Sequence, residues 1–270
     1  MNKRIEEAYE KRPKNWIYNT VLAVIVLALI VWSASCVENS GATSGGGQIA
    51  LNVIKGIFTP DLGFLFDFTS KAGVPYLMLE TICIAFLGTI VGAVISIPLA
   101  FISASNLTPK AVAFIGRILI MAVRTIPAFV YGLMFIRVTG PGAFAGLLTM
   151  GVCSVGMISK MYIEAIEDLD THVIESLDAA GCNTWQKIRY GILPQLMPNF
   201  ASTAIYRFDI NLRDATILGM VGAGGFGAPL IFAMNAYRWN EAGAILAGLI
   251  ILILIIEYIS TKIRVKLTRG

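Results

Sequence analysis

Apolar residues run along the chain in long blocks, each close to the about 20 residues that a membrane-crossing helix needs. The first block covers 16–35 and contains the uninterrupted run from Val21 to Trp32. Further blocks follow at 75–104, 118–138, 143–163, 198–221 and 242–259. Residues 37–74 are richer in Gly, Ser and Asp and read as a long connection, in which 49–58 and 61–68 are expected as short interfacial helices. Tight turns are expected at 105–109 and 139–142, and a Gly-rich turn with a short polar stretch precedes the last block. Two segments break the apolar rhythm. Residues 164–194 are polar, with six acidic side chains in their first half, and the block 198–221 carries Arg207, Asp209, Arg213 and Asp214.

Composition decides what those blocks are. The 270-residue chain is 56% hydrophobic and only 14% charged, whereas water-soluble domains carry about 25% charged residues. A soluble fold, an intrinsically disordered chain and a nucleic-acid partner are excluded, despite a formal charge of +4. Cys36, Cys83, Cys153 and Cys182 form no CxxC pair, and His172 is the sole histidine, so no metal site is expected. The expectation is an all-α integral membrane protein with about six transmembrane helices.

Charge gives that bundle a direction. Residues 1–15 hold five Lys/Arg, and the chain closes on Lys262, Arg264, Lys266 and Arg269. Basic flanks mark the cytoplasmic side, and six crossings return both ends to it. The expected order is a cytoplasmic segment (1–15), a first helix (16–35), an external loop (36–74), a transmembrane domain (75–262) with a cytoplasmic loop at 164–194, and a cytoplasmic tail (263–270). A cleaved leader ending before Cys36 is the rival reading of the first block. Ser33 stands where a lipobox would want a branched apolar residue, which disfavours it.

The polar loop contains ESLDAAGCNTWQKIRYGILPQLMPNF, starting at Glu175. A short helix is expected from Glu175 through Ala179 and Ala180, broken at Gly181. Trp185, Ile188 and Ile192 recur near helical spacing before Leu193-Pro194, where proline is expected to start a new helix. An apolar face on such a loop should insert into a soluble partner or lie on the bilayer. The spacing of Glu175, Gly181 and Leu193-Pro194 resembles the EAA loop of ABC importer permeases, which docks into the ATPase subunit. The family pattern is Glu-Ala-Ala, three residues, Gly, then nine to an Ile before x-Leu-Pro. Here Ser176 and Leu177 replace the alanines and Gly191 replaces the Ile.

Three further stretches narrow the resemblance: ETICIAFLGTIVGAVISIPLAFISASN from Glu80, AVRTIPAFVYGLMF from Ala122, and YRFDINLRDATILGMVGAGGFG from Tyr206. They are similar to phosphonate importer permeases from about residue 75 to the C-terminus. The first block and its loop are weakly covered. Methionine importer permeases share the architecture and the Gly-rich stretch. The resemblance implies a type I ABC importer permease fold, a second permease copy, two copies of an ABC ATPase, and an external substrate-binding protein. It implies import of phosphonate, or a related oxyanion such as phosphite or phosphate, by alternating access. No GxxxxGK[ST] occurs in the sequence, so ATP and Mg are expected to be used by the partner ATPase, and no cofactor by this chain.

Four ionised groups in one span are costly in lipid and should face protein or a water-filled path. Arg207 with Asp214, and Asp209 with Arg213, are spaced for partial internal pairing. They could be structural salt bridges, or Arg207 or Arg213 could line the path of an anion, because a guanidinium fork matches phosphonate oxygens. Arg124 is a further path candidate. Gly222, Gly224, Gly225 and Gly227 fit GxGxxG but lack a βαβ context, and read instead as a turn or gate where backbones approach closely. Gly88-x-x-x-Gly92 and Gly142-x-x-x-Gly146 read as packing faces. Two alternatives stay open: a permease for another solute such as methionine, and an intramembrane enzyme using Asp209 and Asp214.

Overall fold

The computed structural model describes residues 16–36 and 46–269; the expected segment 1–15, residues 37–45 of the expected external loop and residue 270 lie outside them. Contacts divide the chain into two units, residues 1–49 and 50–270. Every regular element among the described residues is helical.

In the first unit, α1 (Trp16–Cys36) is 21 residues without a charged side chain and without a buried residue. At about 1.5 Å per residue it is long enough for a hydrocarbon core of about 30 Å. α2 (Gly46–Phe58), whose residues from 50 onward fall in the second unit, is a full helix; within that second unit the helix expected over 61–68 shrinks to the single turn α3 (Leu62–Leu65). Asp61 caps that turn by accepting from the Gly63 and Phe64 amides at 2.9 and 3.3 Å. Asp67 ends it by gathering the next residues: its Oδ1 accepts from the Thr69 amide at 2.9 Å, the Thr69 hydroxyl at 2.7 Å and the Ser70 amide at 3.2 Å. Those bonds hold the Asp67 carboxyl well down, to about 2, the Thr69 contact contributing most.

In the second unit, α4 (Val74–Ser103) and α7 (Ala143–Glu167) run side by side in the same direction. A Cβ at Gly88 would strike Met150, and one at Gly92 would strike Ser154, so this pair of small residues is the packing face that its spacing predicts. The second pair divides. Gly146 approaches the Ala223 carbonyl, but Gly142 has nothing within 4 Å and caps α7 at φ 143°. Its amide donates to the Gly222 carbonyl at 2.8 Å, a turn role rather than a packing one.

The block expected as one span over 118–138 is broken. α5 (Lys110–Thr125) and α6 (Ala128–Thr139) meet at 81°. Ile126 and Pro127 between them are extended, at φ −80°, ψ 123° and φ −61°, ψ 146°. Proline has no amide to donate and pushes the preceding residue out of the helical region. The Tyr131 hydroxyl donates to the Val123 carbonyl that the break leaves free, at 3.0 Å.

The polar loop holds α8 (Thr171–Ala179) and α9 (Thr184–Gln186), then a π-helical stretch, Lys187–Ile192, which runs into α10 (Leu193–Gly219). α10 starts at Leu193 with Pro194 in its first turn, as expected, but without a break before it. Leu193 donates to Ile188, five residues back, and this widened turn carries the chain past the proline. α11 (Gly227–Asn235) fills what reads in sequence as turn, and α12 (Trp239–Arg269) extends well beyond the expected 242–259.

Among the described residues four helices are long and apolar enough to cross a membrane, and the bent pair α5–α6, taken as one span, makes a fifth. α10 is long enough, at 27 residues, but its ionised residues keep it from that class. Buried residues form one cluster where α4, α10, α11 and α12 meet around Phe226 and Ile245, and another around Tyr162, Phe200 and Ile192. The stacked rings of Tyr162 and Phe200, centroids 3.9 Å apart, tie α7 to α10 just after the loop.

Candidate functional site

The charged residues of α10 sort onto two faces. Arg207, Asn211 and Asp214 are spaced i, i+4, i+7 and turn toward α7 and α4. Arg207 is only 7% exposed. Its Nε donates to the Ser154 hydroxyl at 3.3 Å, its Nη1 lies 3.2 Å from the Met157 sulfur, and its Nη2 is 3.9 Å from Asp214. Asn211, fully buried, donates to the Thr89 and Ser154 hydroxyls at 2.8 and 2.7 Å. The Asn211 carbonyl oxygen has no hydrogen-bond partner among the described residues.

The other face is closed on itself. Arg213 donates to Asp209 at 3.1 Å and to Glu257 of α12 at 3.3 Å. Asp209 and Asp214 therefore engage different cations on different faces. They do not form the carboxylate pair that intramembrane acid–base chemistry would require.

Arg124 stands apart from both clusters. It occupies the last turn of α5, beside the break, on the wall of a cavity of about 450 Å³ between α5 and α7. Its side chain has no ion pair or hydrogen bond among the described residues.

In the polar loop, α8 ends through Gly181 at φ +73°, with the Gly181 amide donating to Asp178 and the Cys182 amide to Leu177. Nothing lies within 4 Å of a Cβ built at Gly181, so the backbone, not crowding within the chain, selects glycine there. Asn183 and Gln186 then close a reciprocal cap: each side chain accepts the other residue's amide at 2.9 Å. Asp178 pairs with Lys187. Glu175, Ala179, Ala180, Pro194 and Trp185 are exposed, Trp185 at 69%.

The apolar face expected of Trp185, Ile188 and Ile192 splits. Ile192 is buried, and Ile188 and Leu193 pack beside it against α7, because the π-helical register turns them toward the bundle. Trp185 is left outside with Tyr190. Gly191 is buried against Leu177, whose side chain occupies the space a Cβ there would need.

Gly222, Gly224 and Gly225 adopt φ of 97°, 84° and 72° and form the turn between α10 and α11, while Gly227 packs onto Thr216 and Gly219. The Gly225 amide donates to the Glu80 carboxylate at 3.2 Å, fixing the turn to the start of α4.

Sequence reading missed Glu257, Asn211, Ser154 and Thr89. Asn211 was findable, one turn from Arg207 on the same face; the other three belong to distant helices, and no local spacing announces them.

Known proteins give this geometry its context. Residues 96–263 match the family described as "Binding-protein-dependent transport system inner membrane component". The phosphite transport system permease protein PtxC of Stutzerimonas stutzeri is 36% identical over 188 residues, 69% of this chain and 68% of that one. The putative phosphite transport system permease protein HtxC of the same organism is 31% identical over 271 residues, 98% of this chain and 94% of its own length. Among solved structures, a chain of the inward-facing MetNI methionine ABC transporter superposes with a TM-score of 0.63 at 22% identity, covering 72% of this chain and 95% of that one. The bent span, the exposed helical loop and the long charged helix thus sit on the type I ABC permease fold, and this multi-pass, non-catalytic membrane chain belongs to the binding-protein-dependent transport system inner membrane components.

Proposed function

We propose that the chain imports phosphorus oxyanions, phosphonate foremost with phosphite and phosphate as neighbours, as one of two identical permease copies. An ABC ATPase docks on each polar loop and supplies ATP hydrolysis with Mg, and an external binding protein delivers the anion. In this reading 1–15, the loop around Gly181 and the tail 263–270 are cytoplasmic, 36–74 is external, and 75–262 is the transmembrane domain.

The observation that carries the reading is Arg207. A buried guanidinium has five N–H donors to satisfy, yet this one meets a hydroxyl, a thioether and a carboxylate 3.9 Å away. An anion passing α10 would complete that set better than the neighbouring side chains do. Arg213, held by two carboxylates, reads as architecture. The exposed Glu175, Trp185 and Gly181 turn form the coupling surface: closing of the ATPase pair draws the two loops together, and the rigid run from Thr184 into α10 carries that movement to Arg207. The Gly222–Gly227 turn, anchored by Glu80, is the external gate.

The test is uptake into proteoliposomes holding the permease, its ATPase and its binding protein. Radiolabelled phosphonate, phosphite and phosphate should enter with ATP and not without it. Methionine entering in place of all three would overturn the substrate class.

A further inference from the structure

The cavity between α5 and α7 is lined at positions 117, 120, 121, 124 and 125 on one helix and 160, 163, 164 and 167 on the other. The α7 set follows i, i+3, i+4, i+7 and the α5 set i, i+3, i+4, i+7, i+8, so each helix turns a single stripe toward the other across the groove. α5 and α7 run in opposite directions there. Arg117 pairs with Glu167, while the backbone of Arg124, about two turns further along, lies beside Gly156.

The charges along the groove are unequally answered. Arg117 is fixed twice, to Glu167 and, through Nε at 3.1 Å, to the Ser103 carbonyl. Lys160 pairs with Glu164 at 3.3 Å within its own helix, but both side chains are more than half exposed. Such a pair is weak and readily exchanged. Arg124 has no carboxylate at all. Counted from Lys110 at about 1.5 Å per residue, it stands about 21 Å along α5, beyond the Arg117–Glu167 pair. A guanidinium so placed is costly unless something negative accompanies it. The groove offers three cations against two carboxylates over a floor of buried Ile120 and Ile163, with the exposed Met121 also lining it. Its volume of about 450 Å³ lies within the range of small-molecule sites, about 300–1,000 Å³.

We propose that this groove is a binding site for a phosphate-type oxyanion, gripped by the Arg124 fork and by Lys160 released from Glu164, with Arg117–Glu167 as its rim. The site is separate from the Arg207 cluster, and its link to the function above is that the oxyanion is of the same chemical class. Two sources offer that chemistry: the free anion after it crosses, and the phosphate of an anionic lipid headgroup in the leaflet on the side of Lys110. The groove joins the broken span to the helix that leads into the polar loop, so an anion in it bridges those two elements.

The test uses the full-length permease with its ATPase in nanodiscs without ATP. In phosphatidylcholine discs, inorganic phosphate and methylphosphonate are titrated calorimetrically at constant ionic strength. In a parallel set, phosphatidylglycerol retained by the protein is counted by native mass spectrometry. Arg124→Gln should weaken binding by about tenfold or more, as expected for loss of a charge-assisted bidentate contact. Lys160→Gln should weaken it less, and Arg137→Gln, at the far end of the broken span, should not change it. If Arg124→Gln fails to assemble, Arg124→Lys should assemble and bind with intermediate affinity. Loss in the first set identifies the free anion, and loss confined to the second identifies the lipid phosphate. Unchanged binding in both sets for Arg124→Gln and Lys160→Gln overturns the site. Binding here without phosphonate uptake would keep the site and remove the proposed function; normal uptake with no binding here would do the reverse.

Discussion

Arg213 of α10 reaches Glu257 of α12 at 3.3 Å while holding Asp209 of its own helix at 3.1 Å. One cation shared by two carboxylates has no positive field left to offer an anion. That cluster staples α12 to α10, and in the proposed reading Arg207 is the cation of this helix left for the anion.

Interhelical polar contacts in membranes are worth about 0.6 kcal/mol on average and up to about 1.7. Glu257→Gln should therefore lower thermal stability modestly and leave uptake per folded molecule near wild type. The exchange Arg213→Glu with Glu257→Arg should recover stability that Arg213→Glu alone loses. Denaturation followed by size-exclusion fluorescence measures both. Abolished uptake with unchanged stability in Glu257→Gln would return Arg213 and its partners to the transport path.

Two of the polar loop's three departures from its family pattern, Leu177 and Gly191, compensate each other. Leu177 is larger than the family's alanine, and Gly191 is smaller than its isoleucine; the leucine side chain lies where a Gly191 Cβ would point. Gly191→Ile alone should overpack the loop at a cost of about 1–3 kcal/mol. Leu177→Ala alone should leave a void. The double variant should fold and retain ATPase association better than Gly191→Ile. Pull-down of the ATPase by each variant checks this, and additive losses in the double variant would count against the contact.

Gly181 separates backbone demand from partner contact. At φ +73° with open space around it, Gly181→Asn should be tolerated, since Asn visits this region most easily. Gly181→Val should strain the turn by about 1–2 kcal/mol. Gly181→Asp, tolerable for the backbone but charged, should insert normally and lose ligand-stimulated ATP hydrolysis. If Asn and Asp couple equally well, the surface there does not meet the ATPase closely.

How much of this was readable in advance follows from range. The helices, the polar loop and the Arg207–Asp214 and Asp209–Arg213 spacings are local, so composition and period revealed them. The break at Pro127 was present in the sequence as Thr-Ile-Pro, but the apolar run across it looks continuous because lipid-facing residues carry no period to interrupt. Ile188 and Ile192 misled because a 3.6-residue wheel does not describe a π-helical turn. Glu257, Ser154 and Thr89 matter only through partners on other helices, and distance in the chain hid them.

Acid should loosen one exposed turn before the bundle. The Thr69 and Ser70 bonds hold the Asp67 carboxyl at about 2 in the folded chain, below the about 3.9 of an unperturbed aspartate. A depressed folded value means that the stabilisation is complete above about pH 4 and fades as pH falls toward 2. Hydrogen exchange of the Thr69 and Ser70 amides should stay slow down to about pH 4, after correction for intrinsic rates, and accelerate below it. Asp67→Ala should show the fast exchange at every pH. Protection that persists through pH 2 would contradict the carboxylate's role.

The last prediction tests Arg207 through its neighbour. If Arg207 and Asp214 are only a structural pair, removing either leaves a charge without its counter-ion, at a cost of about 3–5 kcal/mol for a buried one. Arg207→Gln and Asp214→Asn should then both lower membrane abundance. If Arg207 instead meets the passing anion, the two variants should diverge. Asp214 competes with the anion for the same guanidinium from 3.9 Å, so Asp214→Asn should preserve uptake and lower the half-saturating phosphonate concentration. Arg207→Gln should lose uptake by about tenfold or more per folded molecule, the effect of one lost charge-assisted contact. Arg207→Lys should recover only part, because an ammonium keeps the charge without the fork. Ser154→Ala sharpens the distinction. It removes the hydroxyl that accepts from both Arg207 Nε and Asn211, freeing the guanidinium without touching its charge, and should shift half-saturation while leaving maximal uptake close to wild type. The measurement is proteoliposome uptake against phosphonate concentration, normalised to assembled complex. Parallel losses of abundance in Arg207→Gln and Asp214→Asn, with full uptake by the Arg207→Gln molecules that do fold, would leave Arg207 as bundle architecture.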